Sequence, residues 1–485
     1  MVAASAGDIS LVVWSETDPY GQEDVRGVRV RKSDGALLDA TPLCIACGTG
    51  TQSGPSVASN GTDFLVAWDD MPQSTGSPRL LSVRVRGSDG AVLGPPQVLR
   101  SDFPANYSSA VASDGSNYLV VWKGYEFGCV RRLCGYSPRV FGARVSATDG
   151  SSIRTNLSSW GSSPDDPLQV TYGGGNYLVT WSGGSVSTAR VRASDGVVLD
   201  AAPRPLVSGG RYAVAAFDGS QFLVVWSTPG GEIRASRLGQ QGAVLDPGGF
   251  LVGAGNAITR ANVLFDGAAY RVTWEQGLEL VRPLKGVLVK PEGLVVSGSE
   301  SVLVEKPGLT GGRPALAPLG RGRFLLGYTQ FSAPPSTASH AKLRVVEDMP
   351  QGSACTQDAQ CQSGYCVDGV CCDGACGGGA ANDCQACSVA AGGTADGTCG
   401  AVRADAAVVC RPSAVACDVA EVCDGTRLSC PADEPSASEP DLTCDKCQDT
   451  PCDVANYLAT LGPESLEQPF GHGLQVKADQ ACRSF

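Results

Sequence analysis

Seven times along the chain, a run of four or five apolar residues ends in an aromatic ring, preceded by a small apolar strand and a Gly-containing turn. The copies are ASAGDISLVVW to Trp14, VASNGTDFLVAW to Trp68, VASDGSNYLVVW to Trp122, VTYGGGNYLVTW to Trp181, VAAFDGSQFLVVW to Trp226, VLFDGAAYRVTW to Trp274 and LAPLGRGRFLLGY to Tyr328. After a variable loop, apolar and polar positions alternate, as in VRVRKSDGALLD (Val28 to Asp39), VRVRGSDGAVLG (Val83 to Gly94) and RVRASDGVVLD (Arg190 to Asp200). Alternation at period two marks half-buried strands, and Asp-Gly or Asn-Gly between them marks tight hairpins. Each unit therefore reads as four antiparallel strands, A to D, with the ring at the end of strand B. The rings are 54, 54, 59, 45, 48 and 54 positions apart, a period that suits propeller blades. The fold class is all-β: a seven-bladed β-propeller over residues 1–348, followed by a loop-dominated tail.

The seventh unit has strands A (Arg313 to Leu319), B (Phe324 to Tyr328) and C (Ala341 to Val346) but no D, and the first unit starts at its A strand. An unpaired edge is a liability, so the missing strand is expected upstream of Met1, together with an export signal; a three-stranded last blade is the alternative. The recurrent turn acids Asp34, Asp89, Asp114, Asp149, Asp195, Asp218 and Asp266 are read as turn formers, with Asp-Gly supplying the positive φ angles of type I′ turns. The repeated Trp is read as a packing wedge between blades, against the alternative of a row of sugar platforms.

Composition sharpens this picture. With 62 Gly in 485 residues, turns are frequent and long helices are not expected. No window approaches 18 uninterrupted apolar residues, so membrane insertion by a helix is not expected. Up to residue 348 the chain carries 31 basic and 30 acidic residues; the remainder carries 6 and 19, and so accounts for essentially all of the net charge of −12. A near-neutral body with an acidic tail argues against nucleic acid as a partner. Of the 37 basic residues only 8 are Lys, a bias given no functional weight here.

Cysteine divides the same way, with 17 of 21 in the last 137 residues. Such density reads as a disulfide framework, which persists in oxidising compartments and places the protein outside the cell or on its outer surface. Within the body, Cys44 with Cys47 and Cys129 with Cys134 are close in sequence and remote from the tail, and are expected to bond within their own loops. Cys384-Gln-Ala-Cys387 and Cys444-Asp-Lys-Cys447 raise a zinc alternative, disfavoured by the long gap between them and its further cysteines.

From Cys355 the tail runs CTQDAQCQSGYCVDGVCC to Cys372, which resembles the short modules called Dickkopf-like or EGF-like; this module is assigned residues 349–400. CRPSAVACDVAEVCDGTRLSCPAD, from Cys410 to Asp433, resembles the second half of a disintegrin domain, assigned residues 401–435, with residues 436–485 a C-terminal segment of unknown fold. The resemblance makes Cys410, Cys417, Cys423 and Cys430 disulfide cysteines. The adhesive Arg-Gly-Asp tripeptide of that family is missing from Ala414 to Asp418, so integrin binding is not implied. Trp-ending propeller repeats followed by such modules are similar to exported multi-module proteins of myxobacterial type, a resemblance that implies no reaction.

Candidate chemistry is sought on the face carrying the B-to-C and D-to-A loops. The longest loop, after Trp122, holds Tyr125, Cys129, Arg131, Arg132, Cys134 and Tyr136; Tyr107, Trp160, Asp165 and Asp166 belong to neighbouring loops. Aromatic and guanidinium groups offer large contact area and planar hydrogen bonding, so Tyr107, Tyr125, Arg131, Arg132, Trp160, Asp165 and Asp166 form the expected binding site. For a hydrolase the best carboxylates are Glu16, Asp69, Asp70 and Glu275. The sialidase Asp-box is missing, as is the calcium pattern Asp-x-Asp-x-Asp-Gly, and His340 and His472 lie outside the repeated strands. The resulting expectation is an extracellular, non-enzymatic binding or adhesion protein for a protein or glycan, without cofactor or metal; the alternative is a secreted glycan-cleaving hydrolase.

Overall fold

A computed structural model describes residues 1–17, 21–73, 76–101, 109–130, 133–158, 168–200, 202–254, 260–276, 283–296, 299–304, 314–320, 322–331, 339–356, 358–361, 363–379, 383–413 and 419–432. Six four-stranded antiparallel sheets and one three-stranded sheet follow one another, each a meander in chain order. They are blades one to seven of a propeller, running Val2–Ala46, Gly50–Arg100, Ala110–Ser158, Gln169–Ser208, Arg211–Ala254, Asn262–Val304 and Ala315–Glu347. Strand A of each blade lies beside strand A of the next, and Val2–Ala6 of blade one lies beside Ala315–Gly320 of blade seven, which closes the ring. Across that junction Ser5 Oγ donates to the Pro318 carbonyl at 3.1 Å. Val12, Val28 and Trp14 share an apolar cluster there with Ala317, Leu319 and Leu325.

The repeated ring is a wedge. Trp68, Trp122, Trp226 and Trp274 are almost wholly buried, each against the preceding blade. Trp68 packs with Leu11, Val13 and Val25 of blade one, Trp122 with Leu65 and Leu80 of blade two, and Trp274 with Leu223 and Val225 of blade five. Burying a ring of this size removes more apolar surface from water than any other side chain can, which explains its recurrence at this position.

Two polar ties accompany the wedge. The hydroxyls of Tyr118, Tyr177 and Tyr270 donate to the carbonyls of Asp63, Asn117 and Gln221 in the preceding blades, and burial pushes all three phenols well above their usual range. On strand C a guanidinium is clamped by a carboxylate about ten residues downstream: Arg29 by Asp39 (2.6 Å), Arg190 by Asp200 (2.8 Å) and Arg237 by Asp246 (2.8 Å). Arg29 also reaches the Ser88 carbonyl of the next blade's C–D hairpin (2.6 Å), and Arg190 the Gln240 carbonyl (3.5 Å). Burial alone would raise the Asp200 carboxyl; Arg190 and Arg204 outweigh it and hold it below the usual range. The arginine bias therefore does carry weight: a planar fork can bind a carboxylate and a neighbouring carbonyl together, which a lysine ammonium does less well.

The turn acids are structural, but not by the geometry of a type I′ turn. None of them has a positive φ; the glycine after the acid does, as at Gly115 (φ 90). The carboxylate instead accepts amides ahead of it, Asp114 Oδ1 from Ser116 (2.8 Å) and Asn117 (2.6 Å). This is the Asx-type turn that a short acidic side chain favours.

The chain divides into two compact units, with Gln357–Gly364 counted with the propeller and Gln351–Thr356 with the cysteine-rich unit. Three short 3-10 turns are the helical structure of the described residues, all beyond the propeller blades. Strands of the second unit are two or three residues long, such as Gln385–Ala386 paired with Gly400–Ala401. Its interior is largely sulfur, with Cys372, Cys384, Cys387 and Cys423 buried. The bonds are Cys355–Cys366, Cys372–Cys387, Cys376–Cys399, Cys384–Cys423 and Cys410–Cys430; Cys417 lies outside the described residues. Cys384–Cys423 joins segments on the two sides of residue 400. Both cysteines of the first C-x-x-C pair are thus taken by disulfides, which leaves no thiolate pair there for zinc.

A unit with so little sheet depends on its cross-links, each contributing about 2–5 kcal/mol in small disulfide-rich domains. Reducing the intact chain under native conditions should erase hydrogen-exchange protection between Cys384 and Cys430 while the blade strands stay protected. Persistent protection of that segment after complete reduction would contradict this.

Candidate functional site

In most blades strand B stops soon after its ring, as in Asn176–Ser182 and Gln221–Ser227. In blade three it continues. Strand B runs Asn117–Val130 and strand C Leu133–Ser146, in register from Asn117 opposite Ser146 to Val130 opposite Leu133. The segment after Trp122, expected as a loop, is a hairpin arm reaching about seven residues, roughly 23 Å, past the usual strand end. Alternation explains the difference. Tyr125 and Phe127 are spaced by two, Tyr136 and Pro138 stand opposite them, and Cys129 stands opposite Cys134 with Cα atoms 4.0 Å apart and a disulfide between them. Cross-strand aromatic pairs and a terminal staple keep such a hairpin in one register.

Phe127 and Tyr136 are 60% and 58% exposed and meet edge to face, ring centroids 5.2 Å apart. On the other face of the hairpin Arg139 Nε lies 3.0 Å from Glu126 Oε2. At the base, buried Arg100 donates to the Tyr125 carbonyl (3.0 Å) and stacks over Phe141 with its guanidinium carbon 4.0 Å from the ring centroid. The arm thus presents an aromatic pair on a framework anchored at both ends.

Of the expected site residues, half-buried Tyr125 is on this arm, with Cys129 and Cys134 beyond it. Tyr107, Arg131, Arg132, Trp160, Asp165 and Asp166 lie outside the described residues. Tyr136 belongs to the loop singled out by sequence but not to the expected binding set, and Phe127 to neither; the signal for the pair is their two-residue spacing from Cys129 and Cys134. Cys44 and Cys47 are bonded, but Cys44 stands in strand D of blade one, Leu43–Ala46, opposite Arg26, rather than in a loop.

Two of the carboxylates considered for hydrolysis are engaged by neighbouring side chains. Asp70 accepts from Gln52 Nε2 (3.2 Å) and Arg79 Nε (3.0 Å), and Glu16 lies 3.5 Å from Arg26 Nε. Asp69 and Asp70 are consecutive on one strand and point to opposite faces of the sheet. His340 stands within strand C of blade seven, Ser339–Glu347, opposite Gln330; His472 lies outside the described residues.

All sixteen described cysteines are disulfide-bonded, which fits an oxidising compartment. Among the described residues no helix is long and apolar enough to cross a membrane.

No family model and no curated protein matches the chain. Among solved structures it is similar to the BP39L lectin from Burkholderia pseudomallei, with 15% identity, TM-score 0.50, and coverage of 71% of this chain and 95% of that one. It is also similar to a protein of unknown function from Dyadobacter fermentans (12% identity, TM-score 0.42, 71% and 93% covered). A third is the β-propeller domain of the Trilobed protease from Pyrococcus furiosus (8% identity, TM-score 0.40, 71% and 92% covered). At these identities the likeness is one of fold.

Proposed function

We propose that this chain is an extracellular binding protein whose blade-three arm contacts a glycan or a protein. The observation that carries the reading is the exposed Phe127–Tyr136 pair on a disulfide-closed hairpin. Exposed rings cost stability nothing when buried by a partner, and a pre-ordered hairpin loses little entropy on binding. Arg131 and Arg132, which follow Val130 in the sequence, would add planar donors, and Tyr107, Trp160, Asp165 and Asp166 further contacts. A protein of similar fold is a lectin, so glycans are the ligand class to test first. The tail, whose cysteine spacing resembles Dickkopf-like and disintegrin-like modules, would serve as a spacer or second contact module.

Glycan-array and surface-binding measurements on the intact chain test this. Phe127→Ala with Tyr136→Ala is expected to weaken binding at least about tenfold with no loss of thermal stability, and so is Arg131→Ala with Arg132→Ala and Trp160→Ala. Binding that survives both sets but is lost when residues 355–485 are deleted would move the site to the tail. Turnover of a glycan that stops on Glu16→Gln or Asp69→Asn would replace the binding reading with hydrolysis.

A further inference from the structure

Blade two breaks the guanidinium clamp. Aligning the C–D hairpins places Arg84 with Arg29 and Arg190, and Gly94 with Asp39 and Asp200. The carboxylate that closes the clamp in blades one, four and five is therefore missing, and Arg84 has no carboxylate partner among the described residues. Its Nη1 donates to the Ala147 carbonyl of blade three at 2.9 Å, as Arg29 does to blade two, so the guanidinium is held in place with the rest of its fork uncommitted.

Strand D also steps aside. Ser82 pairs with Gln97 but Arg84 pairs with Leu93, so Gly94, Pro95 and Pro96 bulge away opposite Val83. Gly94 sits at φ +85, which only glycine adopts without strain, and the two prolines cannot donate to the ladder. The bulge opens a cavity of about 350 Å³, lined by Leu65, Ser82, Arg84, Leu93, Gln97 and Asp149, among others, and within the size range of small-molecule sites. A second observation also calls for a ligand: Ser82 is 1% exposed and its hydroxyl has no hydrogen-bond partner among the described residues. Buried polar groups left without partners are costly, and a ligand supplies what the fold does not.

We propose that this cavity between blades two and three binds the carboxylate of a small hydroxylated acid, with Arg84 gripping the carboxylate where Asp would otherwise stand and Ser82, Gln97 and Asp149 taking hydroxyls. Planarity is set by the sister blades, in which the same guanidinium holds a carboxylate by two donors. Asp149 narrows the class. Amide and hydroxyl hydrogen bonds from Ser151 hold its carboxyl down to about 2, so it stays an acceptor for ligand hydroxyls and opposes a doubly charged phosphate. The shared chemistry has two sources, a hexuronic acid residue of a glycan or a free hydroxy acid. The C–D hairpins lie at the end of the strands opposite the arm, so this site does not depend on the arm as a binding surface.

Titrating the intact protein with glucuronate, glycerate and glucose, read by calorimetry or ligand-observed NMR, tests the assignment. Glucuronate is expected to bind at least about tenfold tighter than glucose, and Arg84→Gln to remove that preference. Ser82→Ala should weaken glucuronate by several-fold without disturbing a clamp, which keeps the test open if Arg84→Gln fails to fold. Preference for glucuronate over glycerate assigns the site to a glycan residue; equal binding of the two assigns it to free acids. Glucuronate binding no tighter than glucose, or unchanged in both variants, overturns the proposal. Phe127→Ala with Tyr136→Ala should leave glucuronate binding intact, so failure of the arm and failure of this cavity are read separately.

Discussion

Arg271→Ala is expected to destabilise the propeller by about 3–5 kcal/mol at pH 7, seen as a lower urea midpoint. The Arg271 side chain is 8% exposed, with Nε 2.7 Å from Asp266, which is fully buried, and Nη2 bound to Asp348. Asp266 belongs to the A–B turn of blade six and Asp348 to the chain leaving blade seven, where its amide donates to Gly322 (3.0 Å). Truncating the guanidinium strands two carboxylates away from water, a far larger penalty than loss of an exposed ion pair.

The pH dependence separates this cause from simple loss of packing. Burial already pushes the Asp348 carboxyl up, despite the guanidinium beside it. Without Arg271 the Asp348 carboxyl moves further up, so its folded value exceeds the unfolded one. Such groups favour the folded state less as pH rises through that interval, and the variant's deficit should shrink from pH 7 towards pH 5 and widen above. A deficit of equal size at both pH values would show that the charges are not the cause. Adding Asp348→Asn to Arg271→Met should recover part of the loss.

Trp226→Ala should cost a similar amount, about 3–5 kcal/mol. This ring fills a cluster formed by Leu178 and Val186 of blade four with Ala213, Val224 and Leu238 of blade five. Its Nε1 has no partner among the described residues, so Trp226→Phe removes volume without stranding an acceptor and should cost much less. Thermal unfolding of the two variants beside Phe127→Ala with Tyr136→Ala gives the comparison: rings between blades carry stability, rings on the arm do not. A Trp226→Ala protein as stable as the parent would refute the wedge.

Repeat period, strand identity, the buried rings and the disulfide-rich tail were all legible in the sequence, because each depends on local pattern. Alternation, Gly-containing turns and cysteine density act over a few residues, and seven copies repeat the same signal. Conditions met between distant segments decided the rest. Pairing of Phe127 with Tyr136 made an arm of what composition suggested was a loop, and Cys384–Cys423 joined cysteines that spacing could not match. The clamps were half visible: Arg29 with Asp39 and Arg190 with Asp200 recur at fixed spacing, but their meaning lies in the neighbouring blade's hairpin carbonyls, more than forty residues away. Gly94 reads as one more turn glycine until Arg84, Ser82 and Asp149 are brought around it. One sequence pattern sets which residues can form a strand; only the closed ring sets which side chains lack a partner, since burial and hydrogen bonding are properties of the packed blades rather than of the chain.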